Sequence, residues 1–291
     1  MPAVLLIGLM SGTSADGVDA ALVEWPDDGD EAAFRLVAFR EEAFSAELQD
    51  RIHTLAAARI PGEHALEELA SLDVLLAERF AEAARAVCDD AGVSIESVDA
   101  VASHGQTVAH HPEHGATLQI GHPSLIAERT GCTTVGDFRQ RDLAAGGEGA
   151  PLAPYFHRVA FGHASEGRAV LNLGGIANVT WLPPGAAADA VLAFDVGPAN
   201  ALVDGVVRVI SGGRETLDTG GARALRGSVD GALLETLLDD DFLRRPPPKS
   251  TGRERYGLDE AETLAKEWLG DGRDGDDLVA TLVAFTAESV A

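Results

Sequence analysis

The chain has little of several residues that would announce a chemistry by themselves. Its 291 residues include two cysteines, Cys88 and Cys132, and no C-x-x-C pair. That argues against a disulfide framework and against a structural zinc site. Cys88 falls on the apolar side of a helical pattern and Cys132 sits just before a strand, so both read as buried small hydrophobes. Lysine is almost missing: Lys249 and Lys266 stand against 47 acidic residues, and the net charge is −25. A surface of that sign repels nucleic acid and anionic membranes. The acidic blocks 27–31, 239–241 and 271–277 read as solvated loops and helix ends. Such a composition points to a halophilic source, where salt screens self-repulsion; an acidic protein of a GC-rich mesophile is the alternative. No apolar run reaches the roughly 20 residues of a membrane span, and the N-terminus lacks the basic start and cleavage site of a signal peptide. A cytoplasmic protein is expected. There is no G-x-x-x-x-G-K-[ST] phosphate loop either.

What is present begins at the N-terminus. Ile7 to Val23 reads as an apolar strand, a small-residue turn and a second apolar strand. The turn, Ser11-Gly12-Thr13-Ser14-Ala15-Asp16-Gly17-Val18-Asp19, carries hydroxyls, carboxylates and glycines. Backbone N–H groups and hydroxyls in such a turn can hold a phosphate, and a nearby carboxylate its magnesium. An ordinary hairpin turn is the other reading.

Val4 to Met10, Val18 to Trp25 and Phe34 to Phe39 read as a three-stranded meander. Helical spacing follows over Leu48–Ala58 and Ala65–Cys88. Val98–Ser103, Thr117–Ile120 and Thr133–Gly136 are strand candidates, with helices at Pro123–Arg129 and Pro151–Phe161. A second meander then comes at Ala169–Leu173, Val179–Leu182 and Leu192–Phe194, and helices occupy the remainder. Its turn, Leu173-Gly174-Gly175-Ile176-Ala177-Asn178, echoes the first. Three strands then helices, twice over, is the plan of the actin-like sugar-kinase superfold: an α/β chain of two ribonuclease H-like domains around a cleft. The expected domains are 1–165 and 166–291, the second incomplete because no later strands follow its helices.

Four further clusters carry chemistry. Ser103-His104-Gly105-Gln106-Thr107 lies at the end of a predicted strand, where α/β proteins place ligands; His104, Gln106 and Thr107 suit a polyol or an amide, or are structural partners. Asp137 and Arg139 follow a short strand, and Arg139 is either a clamp for an anion or half of an ion pair. Asp195, at another predicted strand end, is either a general base or a helix cap. Lys249-Ser250-Thr251-Gly252-Arg253 puts one of the two lysines beside hydroxyls, which suggests an anion contact. His110, His111 and His114 read as an exposed loop without a metal-ligand pattern.

Together and in this order the segments GLMSGTSADGVDAALVE, SHGQTVAHHP, TLQIGHPSLIAERTG, VGDFRQRDLAAGGEGAPLAPYFH, LNLGGIANVTWLP, FDVGPANALVD and PKSTGRE resemble the anhydro-N-acetylmuramic acid kinase family. The resemblance implies a two-domain sugar kinase that uses ATP and Mg2+, opens 1,6-anhydro-N-acetylmuramic acid with water and phosphorylates O6, in recycling of cell-wall sugars. It implies that Gly12, Thr13, Ser14, Ala15, Asp16, Gly17, Val18 and Asp19 form the ATP-phosphate loop, with Gly174, Gly175 and Asn178 near the phosphates. Asp195 becomes the base, Asp16 a magnesium-positioning carboxylate, and His104, Gln106, Asp137 and Arg139 sugar contacts. Two departures are visible. The family form FDTGPGN is here Phe194-Asp195-Val196-Gly197-Pro198-Ala199-Asn200, and family members continue for several dozen residues past the point matching Ala291. The expectations are therefore an amino-sugar substrate, no nucleic acid and no membrane, with a homodimer or a separate chain completing the second domain. The competing expectation is a truncated, non-catalytic remnant or sugar-binding module.

Overall fold

A computed structural model describes residues 4–12, 14–26, 34–185, 187–247 and 249–291. Thr13, the acidic block 27–31 and Pro248 lie outside the described residues, as do the side chains at 253 and 254. The chain divides into two units, Met1–Leu152 and Ala153–Ala291.

The first unit opens with the meander β1 (Val4–Ser11), β2 (Gly17–Trp25) and β3 (Arg35–Ala43). Helices α1 (Ala46–Ala56) and α2 (Gly62–Ala91) follow. Ser45 caps α1 by accepting a hydrogen bond from the Leu48 N–H, which satisfies one of the orphan donors of the first turn. In α2, Leu72, Leu76, Phe80, Ala84 and Cys88 recur every four residues and are all buried. Left-handed Gly92 ends the helix. Then come β4 (Ala100–His111), β5 (Ala116–Ile120), α3 (Pro123–Thr130), β6 (Thr134–Val135) and α4 (Phe138–Ala144). The sheet order is β3-β2-β1-β4-β5, with β6 also pairing β4. One core joins Ile7, Leu9, Val18, Ala20 and Leu22 of the sheet to α1, α2 and α3.

Strand β4 corrects the sequence reading twice. His104, Gln106 and Thr107 lie within a twelve-residue strand, not at its end. His110 and His111 continue that strand and are not loop residues; His110 Nδ1 lies 3.1 Å from Thr117 Oγ1 on β5. The polar run hid the strand because β4 changes partner midway. Its first half pairs parallel with β1 and β6, its second half antiparallel with β5. At the changeover Gly105 takes φ +70°, and a Cβ there would lie 2.7 Å from the Ile120 carbonyl oxygen. Only glycine fits.

The second unit begins with α5 (Ala153–Phe161) and the meander β7 (Arg168–Leu173), β8 (Ile176–Leu182) and β9 (Leu192–Pro198). It continues as α6 (Asn200–Ile210), α7 (Ala222–Arg226), α8 (Gly231–Leu238), α9 (Asp241–Arg244), α10 (Arg253–Tyr256), α11 (Leu258–Gly270) and α12 (Gly275–Val290). The three strands form one antiparallel sheet, β7-β8-β9. Leu202, Val206 and Val207 of α6 pack with Ala261, Ala265 and Trp268 of α11 and Leu278, Leu282 and Phe285 of α12. Two of the acidic blocks do end helices: Asp240 caps α9 and Asp274 caps α12. The result is a mixed α/β chain. Among the described residues no helix is long and apolar enough to cross a membrane.

Candidate active site

The first glycine turn is held from three sides. The Ala15 N–H donates to the Gly12 carbonyl at 3.1 Å, and Ala15 itself is left-handed at φ +49°. A residue other than glycine in that region stores roughly 1 kcal/mol of strain. Helix α1 steadies the turn: Gln49 Nε2 donates to the Ser14 carbonyl at 2.9 Å, and His53 Nε2 lies 3.0 Å from the same oxygen. Ser14 Oγ donates to Asp16 Oδ1 at 2.8 Å.

Gln106 forms the third support. Its Oε1 accepts from Ser11 Oγ at 2.6 Å, and its Nε2 donates to the Gly12 and Thr107 carbonyls at 3.1 and 3.2 Å. The residue is 1% exposed. Both amide hydrogens are thus taken within the protein, and the side chain ties strand β4 to the turn. Gln106→Leu is expected to cost about 2 kcal/mol, because the buried Ser11 hydroxyl and the part-buried Gly12 and Thr107 carbonyls lose partners. Urea unfolding measures this; an unchanged midpoint would show that the network carries no stability.

His104 and Arg139 meet directly. Arg139 Nε donates to His104 Nε2 at 2.8 Å, so that nitrogen carries a lone pair. The ring then holds its proton on Nδ1, 2.9 Å from the Gly105 carbonyl. Burial, with the positive charge of Arg139 adding to it, lowers the His104 pKa below the ordinary imidazole value and favours this neutral form. Arg139 also donates from Nη1 to the Gly149 carbonyl at 3.2 Å. The Gly149 N–H in turn donates to Asp142 Oδ2 at 2.7 Å. Burial lowers the Arg139 pKa. No carboxylate pairs with Arg139 among the described residues, so it is not half of an ion pair. Asp137 precedes it at the start of α4, left-handed at φ +59° and without a side-chain cap bond.

A cluster of carboxylates lies along the turn. Asp19 sits opposite Glu41 in the β2–β3 register. Desolvation, then Glu41 and Asp16, push its pKa above the usual carboxylate range. That crowding suits a divalent cation bound through hard oxygen donors. Among the described residues no three or more His, Cys, Asp or Glu side chains are grouped to hold a metal unaided. Mg2+ commonly takes one or two carboxylates together with phosphate oxygens, and Asp16 and Asp19 are carboxylates of that kind on the turn.

In the second unit Asp195 lies inside β9, not at its end, and the cap of α6 is Ala199. The helix-cap reading is thereby removed. Asp195 Oδ2 accepts from Ser250 Oγ at 2.8 Å and from the Thr251 N–H at 2.9 Å, while the Asp195 N–H donates to the Lys249 carbonyl at 3.0 Å. Oδ1 has no protein hydrogen bond among the described residues. Asn178 is opposite Asp195 in the β8–β9 register. The second glycine turn is fastened to α6: the Gly174 carbonyl accepts from the Asn200 N–H, and the Gly175 carbonyl from the N–H groups of Ala199 and Ala201, each at 3.0 Å.

Lys249 does not offer a free cation. Its Nζ donates to the Phe242 and Leu243 carbonyls at 3.1 and 3.0 Å and sits 4.7 Å from the Phe242 ring centre. Sequence reasoning gave no role to Gln49 and His53, and none to Ser250 and Thr251 toward Asp195. The only signal for the latter pair was two hydroxyls in a loop 55 residues away.

The family model described as anhydro-N-acetylmuramic acid kinase matches residues 4–291. Curated relatives carrying the name anhydro-N-acetylmuramic acid kinase are similar over nearly the whole chain. The protein from Caldanaerobacter subterraneus subsp. tengcongensis is 43% identical over 294 residues, covering 98% of this chain and 74% of its own length. Those from Xanthomonas axonopodis pv. citri and Chromohalobacter salexigens are 47% and 46% identical, each covering 99% of this chain and 74% of the relative. With both units spanned by the match and by these relatives, the chain belongs to the anhydro-N-acetylmuramic acid kinase family.

Proposed function

We propose that the protein uses ATP to phosphorylate O6 of 1,6-anhydro-N-acetylmuramic acid as water opens the anhydro ring. The observation that carries this reading is the family match over residues 4–291. In the first unit, residues 12–19 bind the nucleotide phosphates, with the Thr13 part of that assignment outside the described residues. Asp16, with Asp19 beside it, would hold Mg2+, which would supply neutralisation of charge on the phosphate oxygens. Arg139 binds the sugar, its guanidinium taking the lactyl carboxylate, and His104, both of whose ring nitrogens are used within the protein, orients that guanidinium; Asp137 lies two residues before Arg139 for a hydroxyl. Gln106 acts at one remove, by fixing the turn.

In the second unit, Gly174, Gly175 and Asn178 contribute to the phosphate site. The turn's carbonyls are used on α6, which leaves its N–H side for an anion. Asp195 takes the proton of the attacking water through Oδ1. Water adds to the anomeric carbon, the bond from that carbon to O6 breaks, and O6 becomes the acceptor of the γ-phosphoryl group supplied by ATP. Both units are read as ribonuclease H-like. The support is the shared meander; the units differ in that β1 also pairs with a parallel strand, β4, whereas β7 pairs with β8 alone among the described residues. Leu171, Leu173 and Trp181 on that sheet are 42%, 51% and 43% exposed. Such a face and edge are ones that further structure normally covers.

Incubating the protein with ATP, Mg2+ and the anhydro-sugar is expected to yield ADP and sugar 6-phosphate in equal amounts, read by mass spectrometry and a coupled ADP assay. Tight sugar binding with no phosphate transferred would instead favour a sugar-binding module.

A further inference from the structure

We propose that the segment from Lys249 to Thr251 is a strap that aims Asp195, with Ser250 as a positioning residue. This rests on the reading of Asp195 as the base. Among the described residues strand β9 is an edge of its sheet, with β8 on one side only. Along its other side the strap supplies three consecutive contacts: the Lys249 carbonyl takes the Asp195 N–H, while Ser250 Oγ and the Thr251 N–H both donate to Oδ2. Two donors on one carboxylate oxygen fix the plane of the group and leave the other oxygen to meet a proton. A carboxylate without them turns about its Cβ–Cγ bond, and a base that samples several orientations loses reactive encounters.

The strap is itself anchored. Lys249 Nζ binds the last carbonyls of α9, above the ring of buried Phe242. Asp240 caps α9, and Tyr256 Oη donates to Asp240 Oδ2 at 2.7 Å, so both sides of the loop are tied to one point. Pro246 and Pro247 stiffen the approach. In a chain with two lysines, one is thus used to fix the loop that holds the proposed base.

The test is the steady-state kinetics of Ser250→Ala and Ser250→Thr, with Asp195→Asn as the reference. Ser250→Ala is expected to lower kcat about tenfold with KM for the sugar and for ATP within about twofold. Ser250→Thr keeps the hydroxyl and recovers most of the loss. Lys249→Gln, which loosens the far end, gives the same split should Ser250→Ala fold poorly. Adding Ser250→Ala to Asp195→Asn costs nothing more, since the donor then has no base to aim. Full kcat in Ser250→Ala beside an inactive Asp195→Asn overturns the strap and leaves the base reading intact. An active Asp195→Asn overturns the base reading itself. Loss of KM and melting temperature in step with rate would show a merely structural loop.

Discussion

Asp195→Asn is expected to lower kcat by about 10³-fold or more while nucleotide affinity stays within about twofold. The substitution is nearly isosteric, and the local hydrogen bonds explain why it should be clean. Asn Oδ1 can turn to accept from Ser250 Oγ and the Thr251 N–H, as Asp195 Oδ2 does. The strap, β9 and the glycine turn on α6 are then undisturbed, and the melting temperature should not move. The amide nitrogen is left where the free carboxylate oxygen was, and it can donate a proton but not take one. On the proposed mechanism ring opening then loses its base, whereas the residues assigned to phosphate keep their geometry. ADP release in a coupled assay and ADP binding by calorimetry measure the two halves. Wild-type turnover in this variant would remove Asp195 from the mechanism.

The outline of the chain was legible because both meanders are short-range. Apolar alternation, small-residue turns and helical spacing are local signals, and β1–β3 and β7–β9 follow them. What failed was whatever depends on a distant partner. Strand β4 was cut short after Ser103 because half-buried His104, Thr107 and His110 break the alternation; their partners, Arg139, Gln119 and Thr117, come from β5 and α4. Gln106 looked like a ligand group because its amide is polar, but its partners are the turn it supports, 94 and 95 residues earlier. Lys249 looked like an anion contact because lysine is rare here; two backbone carbonyls take its head group. The sequence singles out Asp195, but its position within β9 and its bonds to the strap depend on the fold. Motif and order pointed to the family, which the comparisons bear out. Only the hydrogen bonds show whether a polar group faces a ligand or the protein.

Arg139→Gln is the second large effect expected: a rise in KM for the anhydro-sugar on the order of 30-fold, with a smaller change in kcat. In a chain with 47 acidic and 22 basic residues, a partly buried guanidinium would be expected to find a carboxylate. The described partners of Arg139 are a neutral imidazole and a peptide carbonyl. These orient the guanidinium without neutralising it, and the His104 tautomer is fixed by the same contact. On the proposed reading an anionic group of the substrate completes the set, and a charge-assisted contact of that kind contributes about 2 kcal/mol, which gives the expected ratio. Comparing substrates makes the point specific. The wild-type protein should prefer the muramic acid to an anhydro-sugar lacking the lactyl carboxylate, and Arg139→Gln should lose that preference by penalising the acid alone. Equal penalties on both sugars would show that the guanidinium does not read the carboxylate. The sign of the pH dependence follows from His104. Its pKa is lowered, so the neutral ring that accepts from Arg139 persists as pH falls to about 6.5, the ordinary imidazole value. Protonation at lower pH removes the acceptor and sets a second positive charge beside the first. KM for the sugar should thus be flat from about pH 8 to about 6.5 and change only below that. His104→Asn, which does not titrate there, should abolish the change.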